Sequence, residues 1–448
     1  MVKKVLSLCI IISILIIAAG CSAKKTEEIN LQKTIEGTAQ KSANEIKNSA
    51  IPGFEELYKD TSEIEIKYAL DGVSGEELIR IKDGKILSDI LTMIGKSELI
   101  TDESKIRNMS GMASKGNSLL FVTQKGDKKE IKFSFDDPAF GVGYINIDGK
   151  NYDPGFTFFR YIDDFNEYNN FTTNLDNKAV ELFKKYNWTI DYKINTVKET
   201  LPSNLKHDAG EYPVKIYWAY NNELSKKIGL DYGKYLGKTV DVDMYRLREP
   251  MPENINPMAN ARGIVLRYGN EIIGAFIDAG RHRCFACSLD RKSLEDITGK
   301  GWDSWVADYI NYNNELEIKL SKMSPEDIIK QYFNAMDKHD DKMMYACMSR
   351  KYISDFLAMN MNNNNLFNKD FKNAYVDGDQ NVKSVKLIKI RNMKGIDNPA
   401  GVVEYEATID FRFKKVITSD DGVQSRFIML KKESEKSGWR IESIGTGP

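Results

Sequence analysis

The sequence predicts an α+β protein in which a leader and a tether precede three small α+β domains. Three observations support this. Several runs alternate apolar and polar residues as half-buried strands do, others repeat apolar residues three and four apart as helices do, and both periods recur along the chain. At about 100 to 200 residues per domain, a chain of 448 residues has room for about three. Hydrophobic residues make up 42% and charged residues 29%, the balance of a chain that buries real cores. Lys and Arg number 64 against 65 Asp and Glu, a formal charge of −1, so no basic excess exists to hold nucleic acid.

Residues 1–20 read as a signal peptide. Lys3 and Lys4 precede an apolar stretch from Val5 to Ala19, too short to span a hydrocarbon layer of about 30 Å comfortably. Ala18-Ala19-Gly20-Cys21 then resembles a bacterial lipoprotein lipobox, which implies that Cys21 becomes the acylated first residue of the mature chain. Losing the first 20 residues removes two lysines and leaves a balance of −3. Acyl chains rather than net charge would hold the protein at a membrane. Residues 21–50, rich in Lys, Glu, Thr, Ser, Gln and Asn, suit a solvated tether.

The first folded region is 51–170. Glu63 to Tyr68 alternates as a strand, while Leu87, Ile90, Leu91 and Ile94 share a helical face. Leu119–Val122, Ile131–Phe135 and Tyr144–Ile147 read as further strands, with turns at Lys125-Gly126-Asp127 and Asp148-Gly149-Lys150. Phe156 to Tyr168 is expected to close the domain as a helix. In the middle region, 175–290, Val180, Leu182, Phe183 and Tyr186 open a helix. Tyr217, Tyr220, Leu224 and Ile228 mark a firmer one ending at Gly229. Val240–Met244 alternates as a strand, and Gly269-Asn270 is a hairpin turn between Ile264–Leu266 and Ile272–Ile277. Residues 291–323 read as a helical connector with an aromatic face formed by Trp302, Trp305, Val306 and Tyr309.

The last region, 324–448, starts with Ser324 as N-cap, Pro325 at the first helical position and Asp327 as the acidic arm of a capping box. Ile328, Ile329, Tyr332, Phe333 and Met336 supply one apolar face. A second amphipathic segment carries Met343, Met344, Cys347, Tyr352 and Phe356, and an Asn-rich loop follows at Met361 to Asn368. Of four strand runs after it, Val403 to Lys414 is the longest: Val403, Tyr405, Ala407, Ile409, Phe411 and Phe413 lie on one face and polar residues on the other. Two helices followed by a curved antiparallel meander resemble the cone of the nuclear transport factor 2 superfamily. The features that carry the likeness are Ser324-Pro325-Glu326-Asp327, Tyr332–Asp337 and the run Gly438 to Pro448. Together with Asp278–His282 and Gly301–Trp305, they resemble lipoproteins of Gram-positive anaerobes that carry DUF4830 in the middle and DUF4829 at the end. The resemblance implies placement and fold and brings no catalytic residues.

Chemistry-bearing motifs are few. Cys284 and Cys287 form a C-x-x-C that can be a redox pair assisted by His282, a structural disulfide or two buried thiols. His207, His282 and His339 are the only histidines, each isolated in a polar setting that suits a surface or capping role. Asp241 with Asp243, and Asp136 with Asp137, are expected to face water. Ser203 and Lys206 match the start of a serine acyl-enzyme motif without its companions. No phosphate-loop, zinc-protease, hydrolase-elbow or EF-hand pattern occurs, so no cofactor and no metal is expected. In a cone pocket, Tyr405, Phe411 and Phe413 are candidate lining residues, with Tyr405 the titratable one. The leading expectation is a lipid-anchored, extracytoplasmic, non-catalytic binding or interaction module of the cell envelope, meeting an envelope protein or a small ligand. The alternatives are an envelope enzyme using the terminal cone and a thiol-disulfide protein using Cys284 and Cys287.

Overall fold

A computed structural model describes residues 49–68, 77–102, 117–137, 142–155, 157–159, 161–162, 172–252, 255, 261–278, 285–360, 381–393, 399–416 and 420–447. Cys21, the leader and nearly all of the tether lie outside the described residues, as do His282, Cys284, the Asn-rich stretch and much of the expected helix from Phe156. The chain divides into two compact units, Met1–Asn169 and Asn170–Pro448. Among the described residues no helix is long and apolar enough to cross a membrane.

In the first unit, α1 (Phe54–Asp60) leads into β1 (Thr61–Tyr68), β2 (Glu77–Ile81), α2 (Gly84–Gly95), β3 (Glu98–Leu99), β4 (Ser118–Thr123), β5 (Lys128–Asp137), β6 (Val142–Ile147) and β7 (Lys150–Asp153). The strands pair in the order β2-β1-β4-β5-β6-β7-β3, antiparallel throughout. Alternation decides which face is buried: Ile64, Ile66, Leu119, Phe121, Ile131, Phe133 and Ile145 are all inside. The Asp83 carboxylate caps α2 by accepting from the Lys85 and Ile86 amides, and Ile86, Leu87, Ile90, Leu91 and Ile94 fill the space over the sheet.

The second unit begins with α3 (Asn177–Lys185), β8 (Ile190–Thr200), α4 (Val214–Lys226), β9 (Thr239–Leu247), β10 (Arg262–Tyr268) and β11 (Glu271–Asp278). The sheet order is β11-β10-β9-β8. Phe183 of α3 joins Tyr245, Leu247, Val265, Ala275 and Ile277 in one core, while Tyr217 of α4 meets Phe276 on the opposite side. Covering both faces explains why Asp243 does not face water as expected. It is 2% exposed in a central strand, where its oxygens take Lys193 at 2.6 Å, Thr196 at 2.7 Å and Arg267 at 2.6 Å. Asp241, more exposed than Asp243, pairs with Lys198.

The connector folds as α5 (Leu294–Thr298), α6 (Trp302–Ala307) and α7 (Glu315–Ser321). Trp305 turns the aromatic face inward, its ring 5.7 Å from Tyr220 and 4.6 Å from Tyr309. Then come α8 (Pro325–Asp337), α9 (Asp341–Cys347), α10 (Lys351–Asn360) and β12 (Val382–Asn392), β13 (Val402–Phe413), β14 (Gly422–Ser434) and β15 (Gly438–Gly445), a four-stranded antiparallel meander. Ser324 caps α8 through the Asp327 amide, as its sequence predicts.

The second expected helix of this region is in fact two. Met348 leaves helical geometry to form a parallel bridge with Ile441, and the Ser349 amide donates to the Ile441 carbonyl at 2.8 Å. A sheet partner almost a hundred positions away thus competes with the local helical repeat and breaks it.

Gly263 on β10 faces the Phe183 ring so closely that a Cβ would overlap it. Gly263→Ala is therefore expected to cost about 1–3 kcal/mol through overpacking, read as a lower denaturant midpoint at unchanged slope. An unchanged midpoint would show that α3 can move away freely.

Candidate functional site

The middle and terminal regions meet at the segment His207–Lys215, which runs into the first turn of α4. His207 is drawn to the connector as a one-residue strand: its amide donates to Tyr309 O at 2.7 Å and its carbonyl accepts from Asn311 N at 2.8 Å. The next residues project into the terminal region. Ala209 belongs to the same apolar cluster as Ile328, Phe333, Ala346, Ile409 and Ile441. Gly210 has φ +75°, and a Cβ there would overlap the Lys342 carbonyl of α9, so this position needs glycine for both conformation and space.

Hydrogen bonds from this segment converge on Tyr352 of α10. Its hydroxyl donates to Glu211 O at 3.4 Å and lies 3.1 Å from His207 Nε2. With the hydroxyl proton used toward the carbonyl, Nε2 must carry hydrogen and donate to the phenol oxygen, which leaves Nδ1 as a lone pair. Nδ1 is buried 3.5 Å from Glu211 Oε1 and makes no hydrogen bond. Burial, reinforced by the positive charges of Lys215 and Arg350 and only partly offset by Asp208, holds the imidazole down at about 3. Burial likewise pushes Glu211 up, against the opposing pull of the Asp208 amide and Lys215.

Charges around the seam are committed to neighbours. Lys215 bridges Asp208 at 3.0 Å and Glu211 at 2.9 Å, and Asp208 also accepts from Asn311 at 2.7 Å. Arg350 binds Glu433 at 3.2 Å, the Tyr312 hydroxyl at 3.1 Å and the Ser437 hydroxyl. Arg440 reaches Glu317 at 2.9 Å and the Ser437 and Trp439 carbonyls. Burial raises Glu433 despite Arg350. Between these groups lies a cavity of about 30 Å³, walled by His207, Gly210, Tyr345, Met348, Tyr352 and Ile353 among others. That is room for about two waters, so the seam as it stands is a packed joint.

The residues singled out in the sequence lie elsewhere. Tyr405, 5% exposed, and Phe411 are in the terminal core, Phe411 stacked on the partly buried Phe413 at 5.6 Å and edge-on to Phe333 at 6.5 Å. Cys287 is buried in the middle core, exchanging two backbone hydrogen bonds of 2.8 Å with Ile277; its companion Cys284 is outside the described residues. Cys347 is buried too, which pushes its thiol up to about 12. His339 is exposed at the end of α8 with φ +54°, a capping position as expected. His207 is the correction: it is buried, because Tyr352, 145 residues away, closes over a ring that local sequence leaves in a loop. Among the described residues no three His, Cys, Asp or Glu side chains are arranged to hold a metal.

Two family models match the second unit. Residues 182–277 match the domain of unknown function DUF4830, and residues 326–445 match the domain of unknown function DUF4829. The seam segment 207–215 falls within the first match, and Tyr345, Arg350, Tyr352, Glu433 and Arg440 fall within the second. Among solved structures, the chain is similar to a cystatin-like protein from Ruminococcus gnavus ATCC 29149, at 11% identity and a TM-score of 0.19. The likeness covers 46% of this chain and 58% of that one. No curated protein matches.

The depressed histidine fixes a pH dependence. Between about 3 and 6.5 the unfolded chain takes up a proton that the folded His207 refuses, so this residue's share of stability is whole above 6.5 and is lost as pH falls through that window. Glu211 and Glu433, both raised, act in the opposite direction and are common to wild type and variant. At about 1.4 kcal/mol per pH unit, wild type is expected to lose about 2 kcal/mol more than His207→Gln on going from about pH 7 to about pH 5. Parallel losses in denaturant titrations would contradict a buried neutral ring.

Proposed function

We propose that the chain is a lipid-anchored, extracytoplasmic lipoprotein of a Gram-positive cell envelope that acts as a non-catalytic binding or protein-interaction module. The observation that carries the placement is the N-terminal sequence: two lysines, a short apolar run, and Ala18-Ala19-Gly20-Cys21 before a polar tether. Palmitate-type acylation at Cys21 would set the folded units at the membrane surface, with the tether as spacer. The non-catalytic part rests on the seam. Its acids and bases bind one another across short distances, and its cavity is of water size. Catalysis needs such groups to face a reacting atom. In this reading the terminal region is a cone of the nuclear transport factor 2 type used as a binding scaffold, and its partner is an envelope protein or a small ligand.

The test is acylation and fractionation of the full chain in a bacterial host supplied with a labelled palmitate analogue. The wild-type chain is expected to lose residues 1–20, carry label on Cys21 and sediment with membranes, whereas Cys21→Ala is unlabelled. A Cys21→Ala chain that keeps its leader and a wild-type chain that takes no label would together replace the lipid anchor with a simple leader or span.

A further inference from the structure

One edge of the terminal sheet carries cations that no acid answers. The edge strand β12 holds Lys383, Lys386, Lys389 and Arg391 and no acidic residue, and Lys414 and Lys415 follow β13 directly. The two groups are tied at Asn381: its carbonyl accepts from the Lys414 amide at 2.7 Å, its Oδ1 from the Lys415 amide at 3.0 Å, and its Nδ2 donates to Lys415 O at 2.7 Å. Arg391 pairs with Glu406, whereas the five lysines are exposed and form no ion pair among the described residues. Nearby, Asp410 holds Arg412, Asp421 accepts from the Phe413 amide, and Asp420 is exposed. Register shifts at Val382/Ser384 and Leu387/Lys389 leave Lys383 and Ile388 opposite no residue of β13, and both are exposed.

Apolar side chains protrude at the same edge. Among the described residues six large apolar side chains are exposed, and three of them are here: Ile388 at 52%, Val416 at 55% and Val423 at 63%. Val423 shares a row with Asp410 and Lys386 on the face turned away from α8, since Ile409 and Phe411 face inward. Lysines and bulges alone suit an edge that discourages pairing with another strand. Protruding aliphatic groups add nothing to that protection, and beside free cations they fit a surface that accepts both. We propose that this edge docks on an anionic bilayer surface, the lysines meeting lipid phosphates while Ile388, Val416 and Val423 reach the boundary with the acyl chains. A hydrated anionic polymer would satisfy the lysines alone, so the aliphatic groups favour the bilayer. This docking rests on the lipid-anchored reading and adds to it the face of the second unit that meets the lipid. The balance of −3 over the mature chain conceals this local excess, and the acyl chains supply attachment while the edge supplies orientation.

The test uses residues 22–448, which lack Cys21, sedimented with vesicles of phosphatidylcholine alone or mixed with phosphatidylglycerol. The chain is expected to sediment with the mixed vesicles at low salt, to stay in solution with phosphatidylcholine alone, and to be released by added salt. At about fivefold per lysine, Lys386→Gln with Lys389→Gln should weaken partition about twenty-fivefold. Lys238→Gln with Lys322→Gln, exposed lysines away from this edge, should leave it unchanged. Ile388→Ser with Val416→Ser should weaken it about tenfold. All these positions are exposed, so each variant should melt as wild type does. No sedimentation with the mixed vesicles, or equal losses in the two lysine pairs, would overturn the docking edge. Undiminished partition of Ile388→Ser with Val416→Ser, together with binding to soluble polyphosphate, would replace the bilayer with an anionic polymer. Because Cys21 is absent here, this binding and the labelling of Cys21 in the full chain fail independently.

Discussion

A buried imidazole that must stay neutral organises the second unit of this protein. His207 pairs its backbone with the connector and gives Nε2–H to Tyr352, so three stretches far apart in sequence are fixed at one point. Once that ring is placed, Ala209 and Gly210 have one direction to go, into the terminal core against α9. An isolated charge there would be costly, and Lys215 and Arg350 make it more so. The acids nearby answer those cations instead, through the Lys215 clasp and the Arg350–Glu433 and Arg440–Glu317 pairs.

The two matched domains of unknown function are thus joined by a specific joint as well as by a chain connection. Each has its own antiparallel sheet and apolar cluster, and the contact between them combines Ala209, which joins the terminal cluster, with polar bonds that include those at the Tyr352 hydroxyl.

Local pattern made much of the architecture legible. The twelve-position alternation of Val403–Lys414 gave β13 and its buried side, Ser324-Pro325 gave the start of α8, and Gly269-Asn270 gave the hairpin between β10 and β11. What stayed hidden depends on partners distant in sequence. The break at Met348 is imposed by Ile441, Asp243 is buried because α3 and its strand neighbours cover it, and the pair Glu317–Arg440 spans 123 positions. The seam was the least visible part: an isolated histidine between Pro202 and Pro213 carries no period that separates a surface loop from a buried one. Tyr405 and Phe411 show the converse. Alternation correctly turned them inward, and inward is the solid core beneath α8, while the cavity lies at the joint.

His207 is a buried, neutral, Nε2-protonated ring held by Tyr352. Nitrogen-15 histidine spectra of residues 22–448 across acid pH test it most directly, with His207→Gln assigning the signal. One of the three histidines is expected to keep the Nε2–H tautomer and to remain neutral well below the ordinary value of 6.5. A His207 signal that titrates near 6.5, or that carries its proton on Nδ1, would contradict it.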